Sequence, residues 1–245
     1  MKPVRMPPSK LLTSLVPVAP LAMTAWALAC GGSQPPPQCT VGRGGNAVRY
    51  TLVEGSGACA QKTGEIVGAQ SYRVPGSGNP PTLSLQPNTL LSLKGQDPDT
   101  SHLTWSTGTY TTDYPEADSF CTVPSTSEAR QVVGSSGTDV RYVWNNVRIY
   151  DSTAIPGTQW TADLTYSEGS CVAKYKAVGL FPAISCAVLS GGKPQTDPNT
   201  GKLVVNPALC KSRVLGLSID PHFPVTCDDN SGLCVLAGDP PQATP

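Results

Sequence analysis

Few residues in this 245-residue chain are of a type and spacing that could do chemistry. His102 follows Asp97 and Asp99, and a carboxylate beside an imidazole is the pair that activates a serine hydroxyl for nucleophilic hydrolysis. Lys62-Thr63-Gly64, Ser77-Gly78-Asn79 and Ser190-Gly191-Gly192-Lys193 share letters with the motifs of penicillin-binding enzymes. In those enzymes the serine opens a helix that sets its lysine one turn away. Here Pro194 and Asp197-Pro198-Asn199 follow Lys193 and forbid that helix, and the runs come in the reverse order. Neither GxSxG nor HExxH occurs. Asp97, Asp99 and Ser101 alternate like calcium ligands, and Asp228, Asp229 and Asn230 form a second such run. Neither has EF-hand spacing or its closing glutamate, so both read as turn residues. No catalytic residue, cofactor or metal ligand is assigned.

The nine cysteines carry more information: Cys30, Cys39, Cys59, Cys121, Cys171, Cys186, Cys210, Cys227 and Cys234. With no CxxC pair and two histidines, disulfides suit them better than a metal, which implies an oxidising compartment. An odd number leaves one thiol over, and setting Cys30 apart leaves eight for four bridges. Cys227 and Cys234 flank Asp228-Asp229-Asn230-Ser231-Gly232, a run of turn formers, and are expected to face and bond each other across a hairpin. Cys39–Cys59 is the second expected bridge.

Cys30 is singled out by its surroundings as well. Lys2, Arg5 and Lys10 precede a run without ionisable side chains from Leu11 to Ala29, the layout of a secretory signal. Pro17 and Pro20 interrupt it, which argues against a retained membrane helix. The run ends in Ala27-Leu28-Ala29-Cys30 and turns at once to Gly31-Gly32-Ser33-Gln34-Pro35-Pro36-Pro37. This ending resembles the lipobox of bacterial lipoproteins, although Ala27 and Leu28 depart from the usual order of an apolar residue followed by small ones. The resemblance implies diacylglycerol on the Cys30 thiol, cleavage before it, and, from Gly31, the outer membrane in preference to the inner. Ala27-Leu28-Ala29 also satisfies ordinary secretory cleavage, which would leave Cys30 unmodified.

The elements that must carry these residues are strands. Charged residues make up only 14% of the chain, Gly numbers 24 and Pro 25, a composition that suits short strands and turns. Trp160, Ala162, Leu164 and Tyr166 alternate with polar residues, as do Cys171, Ala173, Tyr175 and Ala177. A turn at Glu168-Gly169 would set Ser167 opposite Ser170 and Trp160 opposite Ala177. Val140–Tyr150 is the strand before this hairpin, with a turn or bulge at Asn145-Asn146. Further strands are expected over Val48–Val53, Glu65–Arg73, Thr82–Gln86, Leu90–Lys94, Leu103–Tyr110, Val204–Leu209 and Val214–Ile219. Tyr142, Trp144, Trp160, Tyr166 and Tyr175 could stack sugar rings, but Trp160 on the apolar hairpin face favours a core. The expected fold is all-β, an antiparallel sandwich or meander barrel braced by disulfides.

The expected organisation is a signal peptide over 1–29, lipidated Cys30 and a Gly/Pro-rich tether over 30–38, one β domain or two over 39–238, and a disordered tail over 239–245. Acids and bases balance at 17 each, which removes the electrostatic argument for nucleic acid. In its lipobox and its Gly/Pro-rich, cysteine-bearing mature part the chain resembles small envelope lipoproteins of Gram-negative gliding bacteria. The expected function is that of a non-enzymatic, membrane-anchored lipoprotein with a structural or binding role, its partner an envelope protein or glycan. The alternatives are an exported hydrolase built on His102 and a carbohydrate-binding lipoprotein.

Overall fold

Alternating residues from nine strands line one interior. The structure, a computed structural model, describes residues 37–76, 78–134, 137–211 and 218–242. β1 (Gly44–Gly55) pairs antiparallel with β2 (Gly64–Tyr72), β2 with β3 (Thr82–Pro87), and β3 with β4 (Ser106–Thr109). β5 (Phe120–Ser125) and β6 (Ala129–Val133) lie end to end along β7 (Thr138–Asp151). β7 pairs with β8 (Pro156–Glu168), β8 with β9 (Cys171–Leu180), and β9 returns to β1. Two meanders thus fuse along β1–β9 into one curled, nine-stranded antiparallel sheet. Its ends approach each other: Thr111 donates its N–H to Thr122, and Ser127 donates to Thr107, at 2.9 and 2.8 Å. No continuous ladder joins β4 to β5, so the roll stops short of a closed barrel. The all-β, antiparallel, disulfide-braced expectation stands.

Tyr50, Val67, Leu83, Tyr142, Trp144, Trp160, Leu164 and Tyr175 belong to the cluster that fills the roll. The residues that alternate with them point outward. At one end of β1 and β9 that outer face is apolar, and it is covered by the C-terminal segment. There β10 (Leu189–Ser190), β11 (Lys193–Pro194) and the hairpin of β12 (Val225–Asp228) with β13 (Leu233–Leu236) accompany a second cluster that includes Val178, Leu180, Ile184, Phe223 and Leu236. The described residues, from Pro37 to Gln242, form one compact unit.

Several strand expectations are met, among them the Asn145-Asn146 irregularity, where the β7–β8 register shifts and Asn146 takes φ 52°. Others need correction. In the β8–β9 hairpin the turn falls on Gly169-Ser170, so Glu168 faces Cys171 and Trp160 faces Gly179. The register differs from the expected one by two residues, which keeps every side chain on its expected face. Two local demands fix it. Gly169, at φ 58°, takes the first central turn position, where a left-handed conformation suits glycine. The Trp160 indole lies over Gly179, where an added Cβ would come within 2.1 Å of it.

The expected strand Leu90–Lys94 is instead part of helix α1 (Asn88–Leu93); Leu90 and Leu93, three apart, pack on the core together. Val204–Leu209 keeps only one isolated bridge, at Val205, before a 3-10 turn over Pro207–Lys211. Of Val214–Ile219, residues 214–217 lie outside the described residues, and Ser218-Ile219 is not strand. The tail expected to be disordered from Asp239 is held as far as Gln242: Gln159 exchanges two hydrogen bonds with the Gln242 backbone, and Asp239 pairs with Lys176.

Candidate functional site

Four disulfides use all eight cysteines of the described residues: Cys39–Cys121, Cys59–Cys171, Cys186–Cys227 and Cys210–Cys234. Both expected pairings are therefore corrected. Cys39 and Cys59 stand before and after β1, whose twelve residues span roughly 36 Å, while a bridge needs Cα atoms within about 7 Å. Each bonds instead to a strand end beside it, with Cα–Cα distances of 5.6 and 5.8 Å. Cys227 and Cys234 do face each other across the expected hairpin, yet each reaches outward, to Cys186 and to Cys210. A bond between them would add little to what the turn already holds, whereas the observed bonds pin the hairpin to two other segments. The sulfurs of Cys186, Cys210 and Cys227 lie within 4.8 Å of one another, a proximity that the two adjacent bridges account for. Cys30 lies outside the described residues.

His102 sits in the irregular segment between α1 and β4. Its Nδ1 lies 2.8 Å from Asp97 Oδ2, and Arg130 Nη1 lies 3.1 Å from its Nε2. A guanidinium only donates, so the tautomer with its proton on Nδ1 satisfies both bonds. The serine nearest in sequence, Ser101, gives its hydroxyl to Asp99. The dyad that sequence suggests is thus present, but an arginine stands where a base would meet its nucleophile. Arg130 is fixed in turn by two bonds of 2.9 Å to Asp139. Burial pushes the Asp97 carboxyl up, but donors from Val132, Asp99 and His102 outweigh it and hold the group below the usual range. Beside this network opens a cavity of about 310 Å³ lined by Asp97, Asp99, His102, Leu103, Trp105 and Gln131, among others.

The two runs that resemble calcium ligands spend oxygens on their own turns. Asp97 accepts from the Asp99 N–H, Asp99 from the Ser101 N–H, and Asp228 from Asn230 and Ser231. Ser190-Gly191-Gly192-Lys193 makes the tight turn between β10 and β11, and Ser77 lies outside the described residues. The five aromatics considered as a sugar platform are all buried core residues.

One constellation escaped the sequence reading. Glu65 on β2 accepts hydrogen bonds at Oε1 from the Tyr50 and Tyr142 hydroxyls, at 3.0 and 2.7 Å. The Thr89 N–H at the start of α1 donates to Oε2 at 2.8 Å. Lys62 places Nζ 3.1 Å from Oε1 and over the rings of Tyr50, Tyr142 and Tyr166 at 4.8–5.6 Å. Burial raises the Glu65 carboxyl, but Lys62, Tyr142 and Thr89 together hold it below its ordinary value. Burial, with the Glu65 charge, pushes both tyrosine hydroxyls well up. Every member faces another member, so the box fastens β1, β2, β7, β8 and α1 instead of presenting a reactive group. Its signal was the Lys62/Glu65 spacing, which only the curl of the sheet converts into a contact with tyrosines on β1, β7 and β8.

Among the described residues no helix is long and apolar enough to cross a membrane. No solved structure matches the chain. A curated protein of Myxococcus xanthus, a gliding bacterium, named "Putative lipoprotein MlpA", is 30% identical over 233 residues, 87% of this chain and 90% of that one. The MlpA family model matches residues 44–182, which run from the start of β1 to just past β9. The match spans all nine strands that roll into the interior, together with the Glu65 box, the His102 segment and the Cys59–Cys171 bridge; on that match, and on the relative that shares most of its length, the chain belongs to the MlpA family.

Proposed function

We propose that this chain is an exported lipoprotein, cut before Cys30 and anchored by lipid on that cysteine. It then holds a non-enzymatic β domain with a structural or binding role at the cell envelope, on the outer membrane in preference to the inner. The observation that carries the reading is cysteine parity. All eight cysteines after Cys30 are bonded to each other, so the one cysteine in the lipobox-like sequence is also the one with no partner in the disulfide framework. The lipoprotein name of the Myxococcus relative agrees with it. The engagement of both His102 nitrogens by Asp97 and Arg130 favours a binding role over hydrolysis.

Two or more acyl chains hold a protein stably where one binds marginally, because each buried methylene contributes roughly 0.8 kcal/mol. Pro37 lies seven residues after Cys30, and a chain reaches at most about 3.6 Å per residue, so the domain would work within roughly 25 Å of its anchor. The test is metabolic palmitate labelling of wild type and Cys30→Ser. Label that depends on Cys30 is expected, and equal label in the variant refutes the anchor. Intact mass of the membrane-extracted protein gives the cleavage site, the acyl chains and four disulfides in one measurement, and density fractionation of the two membranes tests the sorting.

A further inference from the structure

We propose that the cleft beside His102 is a glycan-binding site that takes an uncharged or amino-substituted pyranose, with Trp105 as its stacking platform. Of the tryptophans among the described residues, Trp144 and Trp160 are fully buried, while Trp105 is 37% exposed and lines the cleft beside Leu103, 40% exposed. A pyranose ring has an apolar face and a girdle of hydroxyls. It is met by an aromatic plane together with a few fixed polar groups. The cleft supplies both. The Asp99 carboxylate has spent Oδ1 on Ser101, while among the described residues Oδ2 makes no hydrogen bond or ion pair beyond its approach to His102 Nε2 at 3.5 Å, and its side chain is 53% exposed. The cleft volume, about 310 Å³, lies at the small end of ligand sites and suits one ring with its neighbours outside.

The backbone around the cleft is irregular but not loose. Asp97 accepts the Val132 N–H, Leu103 accepts the Arg130 N–H at 2.8 Å, and Gln131 Nε2 donates to the His102 carbonyl at 2.9 Å. These bonds stitch the segment to β6, so ligand contacts would not first have to order it. The charge of the cleft also selects. Asp97 and Asp99 line the cleft, Lys94 is the one lysine or arginine among the described residues of that lining, and the Arg130 beside it is bonded to Asp139. That balance repels uronic acids. β6 pairs with the first residues of β7, whereas the chain enters the domain at the last, where Thr40 bonds Asp151. The cleft therefore lies at the end of β7 remote from the chain's entry.

This inference rests on the binding role proposed above but not on Cys30. Palmitate labelling and sugar binding can each fail without the other. The membrane-extracted, oxidised protein is titrated with chitotetraose, maltotetraose and tetragalacturonate, reading tryptophan emission and acrylamide quenching. Because Trp144 and Trp160 are buried, a saturable shift with loss of quenching reports Trp105. The expected result is such a shift with chitotetraose or maltotetraose, abolished in Trp105→Leu and weakened at least about tenfold in Asp99→Asn. Both side chains are exposed, and both variants should melt within about 2 °C of wild type. No response to any of the three sugars overturns the proposal, as does a response that survives in Trp105→Leu or one given by tetragalacturonate alone.

Discussion

Replacing Lys62 with methionine tests whether the tyrosine box is held by charge. The substitution keeps an unbranched side chain over the three rings and removes the cation, leaving Glu65, with a side chain 9% exposed, without its counter-charge. Breaking one partner out of a buried ion pair costs about 3–5 kcal/mol. For a domain of this size that is about 6–20 °C in Tm. The pH dependence is the sharper reading. In the wild type the Glu65 pKa is depressed below its ordinary value of 4.5, so its contribution is present above that value and lost as pH falls through the folded pKa. Without Lys62, burial dominates and the folded pKa rises above 4.5. The penalty is then largest at neutral pH and fades as acid protonates the carboxyl. Urea unfolding of both proteins between pH 4 and 7, followed by tryptophan fluorescence, should show stability slopes of opposite sign for this group. The double variant Lys62→Met/Glu65→Gln, which removes the uncompensated charge, should recover most of the loss. A Lys62→Met protein that loses less than about 1 kcal/mol at pH 7, or follows the wild-type slope, refutes the argument.

Gly179→Ala should lower stability by about 1–3 kcal/mol or more, read by thermal melting, because its Cβ would fall 2.1 Å from the Trp160 indole. Asp151, which burial pushes up to about 6 from an ordinary 3.8 despite the Thr40 N–H, binds its proton more tightly folded than unfolded. Its contribution is therefore full below pH 3.8 and lost as pH rises through 6. Asp151→Asn should gain about 1–2 kcal/mol at pH 7 after allowing for solvent screening, and nothing near pH 3.5, by urea unfolding. Joint replacement of Cys59 and Cys171 by alanine opens the longest bridged loop, a separation of 112 residues. It should cost about 3–5 kcal/mol in the chain-entropy account, read by chemical unfolding. Peptide mapping without reduction should recover Cys186 linked to Cys227 and Cys210 linked to Cys234. A Cys227–Cys234 peptide would overturn that assignment.

What the sequence revealed follows the range of the forces involved. Alternation over Trp160–Tyr166 reports burial of one face, and that face is the interior. The same alternation cannot tell a hairpin from one slipped by two, because parity survives the slip; the contact of Trp160 with Gly179 decides it, and a glycine opposite an indole leaves no mark in a hydropathy pattern. Leu90–Lys94 reads as a strand because the helical spacing of Leu90 and Leu93 is too brief to recognise in the six residues of α1. The cysteines announced that they would pair but not with whom, since partners are chosen by which strand ends the curl brings together. The candidate site was half legible. His102 and its aspartates stood out, but Arg130 and Trp105 join them only through β6 and the segment that leads into β4. The lipobox-like sequence before Cys30, by contrast, is local and needs no fold to be read.

The bridge between Cys39 and Cys121 has a mechanical consequence. Cys39 is the third described residue, and its sulfur bonds to β5, which lies along β7, the longest strand. Tension applied through the N-terminal segment would divide at this bridge. Part would pass by covalent bonds into β5 and from there into the β5–β7 ladder. Without the bridge, the whole pull would pass through hydrogen bonds, first those of Cys39 to Asp113, Thr40 to Asp151 and Gly42 to Gly157, and then those of β1 with β2 and β9. A domain tethered at its N-terminal end would thus pass drag into the sheet through a covalent cross-link and not through hydrogen bonds alone.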